Sequence, residues 1–203
     1  MKILGIGRNY VDHAKELNNP VPKEPVVFSM PDSALLKSNN DFYYPDFSND
    51  IHHEVEVVVK ISRVGKNIPI EFAHRYYEEL ALGIDFTARD IQAECKKKGL
   101  PWEKAKAFDG AAPISKFRPK SQFKDVNALN FSLNVNGERV QVGNTSDLIF
   151  SIDFLISYLS KYFTLKIGDM IYTGTPEGVG PVKIGDHLVG ELEGEELLNF
   201  HVR

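Results

Sequence analysis

The segment "IHHEVEVVVK", residues 51–60, constrains this chain more than any other. Val55, Val57, Val58 and Val59 suit a pleated backbone, and valines on alternating sides require cover on both faces. Glu54 and Glu56 interrupt that pattern. Residues two apart on a strand point the same way, so their side chains leave one face roughly 7 Å apart at the backbone. Like charges placed there repel each other and are costly to bury without a partner. An edge strand with one wet face would remove the cost by leaving both glutamates in water. The near-unbroken valine run argues against that reading, and so does a third acid, Asp85, closing the apolar "LALGIDF".

Three acids from two strands supply hard oxygen ligands of the kind that Mg²⁺, Mn²⁺ or Ca²⁺ prefers. A divalent ion reverses the sign of the local electrostatics and makes the placement favourable. Three carboxylates fill half of an octahedron and leave positions for water or a bidentate substrate, as a catalytic ion requires. His52 shares the face of Glu54 and Glu56, and His53 faces the other way. A hard oxygen site calls for neither, so both are read as supporting or structural residues.

The rest of the chain reads as one domain, 1–203, without repeats or a long linker. The two "KIGD" tetrapeptides (166–169 and 183–186) are turn chemistry rather than duplication. Proline and polar turn formers make "NNPVPKEP" (18–25) and "MPDS" (30–33) loops. "PIEFAHRYYEEL" is expected to hold a short helix from about Pro69, and "LALGID" a strand ending at Asp85. A helix follows in "TARDIQAECKKKG", with Thr87 as N-cap, Asp90 three residues on, and Lys96, Lys97 and Lys98 before Gly99. "LNFSLNVNGERVQVG" alternates around Asn-Gly as a hairpin does, and "SIDFLISYLSKYF" has helical spacing behind a Ser151 cap. Short glycine-broken strands fill the C-terminal forty residues. The pattern is α+β and mostly β, not doubly wound.

Charge and cysteine content exclude several roles. A net charge of -4 argues against nucleic acid or an anionic membrane as the main partner. Cys95 is the only cysteine, so no intrachain disulfide forms, and without a base nearby in sequence it is read as a helical thiol without function. "MKILGIGRNY" has too short an apolar run for a signal peptide, and no segment of about 18 uninterrupted apolar residues appears. The expectation is a soluble cytoplasmic protein. The G-x-G before Arg8 and Asn9 lacks a third glycine and is not a dinucleotide fingerprint.

"GRNYVDHAKE", "HHEVEV", "GIDFTARDIQ", "KKKGLPWEKAKAFDG" and "YTGTPEGVGPV" occur in the order and approximate spacing of the fumarylacetoacetate hydrolase family. From about Gly5 to the C-terminus the chain resembles its small single-domain branch of acylpyruvases and oxaloacetate-processing enzymes. The resemblance implies a mixed β-sandwich roll with a few peripheral helices, a Mg²⁺ or Mn²⁺ cofactor and a homodimer. The family's metal ligands fall on Glu54, Glu56 and Asp85, the residues that spacing had already selected.

Other roles come from the resemblance alone. Read blind, His13 and Glu16 form an ordinary exposed helix face. In the family the matching pair lies on a lid, here about 8–25, that closes over substrate, with Glu16 orienting His13 to take a proton from water. Arg8 and Asn9 lead the chain into that lid. Arg89 would otherwise pair with Glu94 or Asp85; the family gives it the substrate carboxylate, with Gln92 bonding an oxygen. Lys106, otherwise a solvated lysine, corresponds to a residue that steadies enolate charge. Thr175, otherwise a turn threonine, matches a donor to the substrate carboxylate. Relatives often carry "F-x-K-P" where this chain has "FSMP", so Met30 removes a positive charge for which Lys37 is a candidate substitute.

The resulting expectation is a metal-dependent hydrolase that cleaves a C–C bond in short 3-acylpyruvates and expels pyruvate enolate, its charge held by the metal and Lys106. Oxaloacetate decarboxylation, keto–enol tautomerisation and isomerisation of 2-hydroxyhepta-2,4-diene-1,7-dioate share the same enolate chemistry and stand as alternatives. Outside catalysis, the alternatives are a module that binds a metal or keto acid, and a structural β-domain whose ion only neutralises its acids.

Overall fold

The structure, a computed structural model, describes residues 1–16 and 21–203. Part of the expected lid, and the start of the loop expected at 18–25, lie outside the described residues. In chain order β1 (Ile3–Gly7), α1 (Val11–Glu16), β2 (Val26–Met30) and β3 (Leu35–Lys37) come first. β4 (Ile51–His53), β5 (Val55–Ile61), β6 (Tyr77–Ile84) and β7 (Thr87–Ala88) carry the acids, followed by α2 (Arg89–Lys98) and α3 (Glu103–Lys106). Then come β8 (Ala112–Ile114), β9 (Arg118–Pro119), β10 (Asn130–Val135), β11 (Glu138–Asn144) and α4 (Ile152–Tyr162). The chain closes with β12 (Met170–Tyr172), β13 (Gly180–Pro181), β14 (His187–Leu192) and β15 (Glu195–His201).

Among the described residues three sheets result, and the expectation of a mostly-β α+β roll with few helices holds. The main sheet runs β2-β1-β12-β5-β6-β8-β3, with β9 beside β6. It is mixed, since β1–β12 and β3–β8 are parallel while β5 lies antiparallel to both β12 and β6. A four-stranded sheet, β11-β10-β14-β15, packs against it, and a small third sheet joins β13, β4 and β7.

The valine-rich strand is covered on both faces, as its composition requires. Val55, Val57, Val59 and Ile61 enter the larger apolar core with Leu133, Leu188 and Leu198 of the four-stranded sheet. Val58 turns the other way, into a smaller cluster with Ile3, Met30, Ala81 and Tyr172. Each such burial contributes on the order of 1.5–3 kcal/mol. The single strand read across Glu54 is corrected: the chain leaves the third sheet after His53 and enters the main sheet at Val55, with Glu54 at the junction.

Local signals fare unevenly. Ser151 caps α4 by accepting the Phe154 N–H, and Asn136 and Gly137, at φ of 53° and 83°, turn the β10–β11 hairpin. In both "KIGD" turns the aspartate accepts the lysine N–H three residues before it, Asp169 from Lys166 and Asp186 from Lys183. The helix expected from Pro69 is a 3₁₀ segment, Ile70–Arg75, and the following strand starts at Tyr77 rather than near Leu80. Thr87 is not the N-cap of α2. It pairs with His52 in the third sheet, Ala88 holds the cap position, and Asp90 instead accepts from Ser48 Oγ and the Asn49 N–H. At the other end Gly99 adopts φ 65° and closes α2 as expected. Among the described residues no helix is long and apolar enough to cross a membrane.

Leu82 of β6 is fully buried and packs on Gly190 of β14, where a Cβ would meet the leucine Cδ2 at 2.8 Å. Leu82→Ala opens a cavity between the two sheets and should lower the free energy of unfolding by about 2–5 kcal/mol. Urea denaturation followed by fluorescence measures it, and a loss below 1 kcal/mol, roughly an Ile→Val change, would mean that this contact does not clamp the sheets.

Candidate active site

Antiparallel pairing of β5 and β6 sets Val55 opposite Ile84 and Glu56 opposite Gly83. Beyond the pair, the Asp85 N–H donates to the Glu54 carbonyl at 2.8 Å, which holds the third acid beside the first. Glu54, Glu56 and Asp85 each present a carboxylate oxygen within 4.8 Å of the other two, and all three are buried. The sequence-level grouping of these acids is therefore a spatial one.

Their electrostatics are strongly unequal. Burial, with Asp85 and Glu54 as charged neighbours, pushes Glu56 well above the carboxylate range, against one opposing hydrogen bond from the Gly174 N–H. Burial likewise raises Asp85 to about 7, although Lys106 opposes it. Burial also acts on Glu54, but Lys106 and Arg89 together outweigh it and hold this group below its usual value. Asp85 Oδ1 is buried without a hydrogen-bond partner. Converging acids, two of which resist ionisation and one of these with an orphaned oxygen, fit a divalent cation with oxygen preference. Glu54, Glu56 and Asp85 would hold it.

Two cations reach the acids from the segment after β6. Lys106, 3% exposed, donates to Glu54 Oε2 at 2.7 Å and Asp85 Oδ2 at 2.6 Å, so the solvated-lysine reading is overturned. Arg89 donates to Glu54 Oε1 at 2.6 Å and to Gln92 Oε1 at 3.0 Å. The blind partners proposed for it are corrected: Glu94 pairs with Lys98, and Asp85 with Lys106. Helical spacing placed Arg89 and Gln92 together; only the tertiary fold could name Glu54 as the acid between Arg89 and Lys106.

His13 is buried rather than on an exposed face. Its Nδ1 lies 3.3 Å from Glu16 Oε2, while Glu16 Oε1 accepts the Gly178 N–H at 3.0 Å. The pair is formed, and α1 is pinned to the loop after β12. That loop also carries Thr175, whose Oγ1 accepts from Gln141 Nε2 at 2.9 Å. Gln141 Nε2 donates as well to the Pro176 carbonyl, and its Oε1 accepts the Val55 N–H and a bond from His53 Nδ1. Because the Pro176 carbonyl can only accept, the amide orientation follows and His53 carries its proton on Nδ1. Accepting from Gln141 leaves the Thr175 hydroxyl hydrogen free to donate. Both histidines of "HH" are structural, since His52 bonds Asp50 at 2.9 Å.

The resulting pocket is lined by Glu54, Glu56, Arg89, Gln92, Lys106, His13 and Thr175. Arg8, Phe28, Lys96 and Trp102 also line it, and sequence reasoning missed all four as site residues. Arg8 was read only as a lead into the lid, and Lys96 only as a helix-terminal charge. The backbone of Arg8 carries a mark that the sequence does not show. Arg8 is the sole non-glycine lining residue with positive φ, 61°, a strain on the order of 1–3 kcal/mol of the kind that gathers at functional sites. Asn9 is structural, its side chain bonded to Phe150 and Thr173. Met30 is buried in the smaller apolar cluster and Lys37 is exposed on β3, and neither lines the pocket. The charge expected to be lost at Met30, and its replacement by Lys37, are therefore not features of the pocket wall.

A proton-linked prediction follows for the acids. Asp85 titrates near 7 folded against 3.8 ordinarily, so between these values the folded chain binds more protons than the unfolded one. Its contribution to stability is complete below about pH 4 and is lost as pH rises through 7. Added Mn²⁺ should displace that proton at pH 6, so calorimetry in buffers of different ionisation enthalpy should register proton release, with a rise in melting temperature. Asp85→Asn should diminish both signals; binding without proton release in the native chain would contradict the assignment.

Comparison with known proteins agrees with this architecture. The model of the fumarylacetoacetate (FAA) hydrolase C-terminal family matches residues 2–203. The chain is 46% identical over 201 residues to a mitochondrial oxaloacetate tautomerase of Mus musculus, covering 99% of this chain and 91% of that protein. It is 43% identical over 197 residues to an oxaloacetate tautomerase of Escherichia coli (strain K12), covering 97% and 90%. Among solved structures, fumarylpyruvate hydrolase from Pseudomonas aeruginosa, in complex with Mn²⁺ and pyruvate, superimposes with a TM-score of 0.95 at 37% identity, covering 100% of this chain and 89% of that one. With a matching model across nearly its whole length and relatives above 40% identity, the chain belongs to the fumarylacetoacetate hydrolase family.

Proposed function

We propose that this protein is a Mg²⁺- or Mn²⁺-dependent enzyme that interconverts the keto and enol forms of oxaloacetate. The observation that carries the reading is the meeting, in one small pocket, of three buried carboxylates with a buried histidine held by its own glutamate. When bound, the ion supplies Lewis acidity that favours negative charge on the 2-oxo oxygen. Tautomerases in a mammal and a bacterium at 46% and 43% identity support this choice of reaction.

The remaining steps belong to the chain's own residues. Arg89 and Gln92, already bonded to each other, and the free Thr175 hydroxyl hydrogen hold the carboxylate beside the oxo group. His13, its Nδ1 tied to Glu16 and its ring in the pocket wall, takes the proton from C3 with its other nitrogen and returns it to the enolate oxygen to give the enol. Glu16 fixes the tautomer and favours the imidazolium that forms. Lys106, desolvated beside the acids, provides positive charge where the enolate oxygen develops. Burial of the floor excludes bulk water from the proton being moved.

Hydrolysis of a 3-acylpyruvate remains a second reading, favoured by the formed His13–Glu16 pair and by likeness to the fumarylpyruvate hydrolase. The same histidine would then take its proton from water, and cleavage would release pyruvate. Oxaloacetate and acetylpyruvate offered separately to the Mn²⁺-loaded chain distinguish the two: enol absorbance reports the first reaction and released pyruvate the second. His13→Ala should lower tautomerisation by about 10²–10⁴-fold with metal affinity retained. Unchanged turnover in that variant would remove His13 from the mechanism, and pyruvate release from acetylpyruvate without oxaloacetate tautomerisation would replace the first reading by the second.

A further inference from the structure

The pocket has ends of opposite character. Its floor, Glu54, Glu56, Gln92, Lys106, Thr175 and His13, is buried. Towards solvent the lining passes to the half-exposed Arg8 and Trp102 and the exposed Lys96. Phe28 and Trp102, with ring centroids 6.3 Å apart, form an apolar stretch of the same lining. A short acid held at the floor by its carboxylate and 2-oxo oxygen therefore shares its pocket with two aromatic rings and two further cations.

Those cations lack what the other two have. Lys106 pairs with Glu54 and Asp85, and Arg89 with Glu54. Among the described residues Arg8 and Lys96 pair with no carboxylate; the Lys96 ammonium sits 5.5 Å from the Trp102 ring centroid. Desolvation of the ammonium beside Trp102, with repulsion from Arg89 and Arg8, lowers Lys96 to about 8 against the attraction of the Glu54 carboxylate. The backbone adds an independent sign. At φ 61° the turn from β1 into α1 suits glycine or asparagine better, yet an arginine occupies it and lines the pocket.

We propose that Arg8 and Lys96 form an anion-binding mouth that takes the distal carboxylate of a dicarboxylic 2-oxo acid, so that the pocket selects dioates over monocarboxylic 2-oxo acids. This rests on reading the floor as the seat of the 2-oxo-acid end. It assigns specificity to two residues outside the proton-transfer machinery. A monoacid leaves both cations uncompensated, whereas a dioate brings one carboxylate to each end, and the fork of Arg8 with the point charge of Lys96 suits a single carboxylate.

Oxaloacetate and 2-oxobutyrate differ only in that distal carboxylate, which a methyl group replaces, and they provide the test. Calorimetric affinities of both for the Mn²⁺-loaded full chain give a preference ratio. Lys96→Gln and Arg8→Gln should each lower that ratio about tenfold, and Lys96→Arg should restore most of it. Lys97→Gln removes the same charge one residue along the exposed face of α2 and should leave the ratio at its native value. Melting curves confirm folding, and Lys96, on an exposed helix position, keeps the test valid should Arg8→Gln unfold. A native chain that binds both acids equally, or a ratio unmoved in folded Lys96→Gln, would overturn the proposal. Deuterium exchange at C3, read by NMR on the same samples, reports separately on tautomerisation. Preference for the dioate without exchange supports the mouth and removes the tautomerase reading, whereas binding of neither acid removes both.

Discussion

The molecule is organised around one electrostatic problem: three carboxylates gathered at a buried point. Nothing in the apolar packing requires them there, and valine or leucine at Glu54, Glu56 and Asp85 would suit the surrounding sheet better. Two cations, Lys106 and Arg89, compensate only part of the charge, and two of the acids remain displaced towards their neutral forms. A buried cluster left in that condition is a cost to the fold unless a ligand makes use of it.

The architecture around that point serves to hold it still. β5 is locked between β12 and β6, and its two faces enter different apolar clusters, which prevents the register slip that would exchange Glu56 for a valine. The transfer of the chain from the third sheet to the main sheet occurs at Glu54, so that residue is fixed from both sides. Gln141, from the four-stranded sheet, bonds the backbone of Val55 and the hydroxyl of Thr175, tying the acid strand to the loop after β12. Rigid strands thus carry the charged floor, while the short helix α1, pinned through Glu16 to Gly178, brings His13 over it.

The legibility of these parts in sequence follows the range of the forces involved. Alternation and turn chemistry are local, so the β10–β11 hairpin, the Ser151 cap, the Gly99 helix end and both "KIGD" turns were readable. Thr87 misled because a good cap residue was used by a long-range ladder to His52 instead. The period-2 reading of Glu54 and Glu56 does not survive the break between β4 and β5, but their carboxylates do converge, and their chemical oddity in a valine run points to the site without any fold. His13, Glu16, Arg89, Gln92, Lys106 and Thr175 needed the family resemblance, since each by itself has an ordinary surface reading. Arg8, Phe28, Lys96 and Trp102 escaped because their membership in the pocket depends on how the β1–α1 turn, β2, α2 and the α2–α3 connection come together, which no local pattern encodes.

By itself the sequence determined that the chain is mostly β, that two acids flank Val55 at the head of a strand covered on both faces, and that a third acid follows another strand. These are consequences of side-chain alternation and of the cost of burying like charges, both of which act over a few residues. Tertiary structure alone decided that Asp85 stands beside Glu54, that Lys106 bridges them, and that Arg8 and Lys96 line the same pocket with no acidic partner among the described residues. Each of those facts joins residues separated by tens of positions, and only the pairing of strands and the docking of helices brings such positions within reach of an electrostatic interaction.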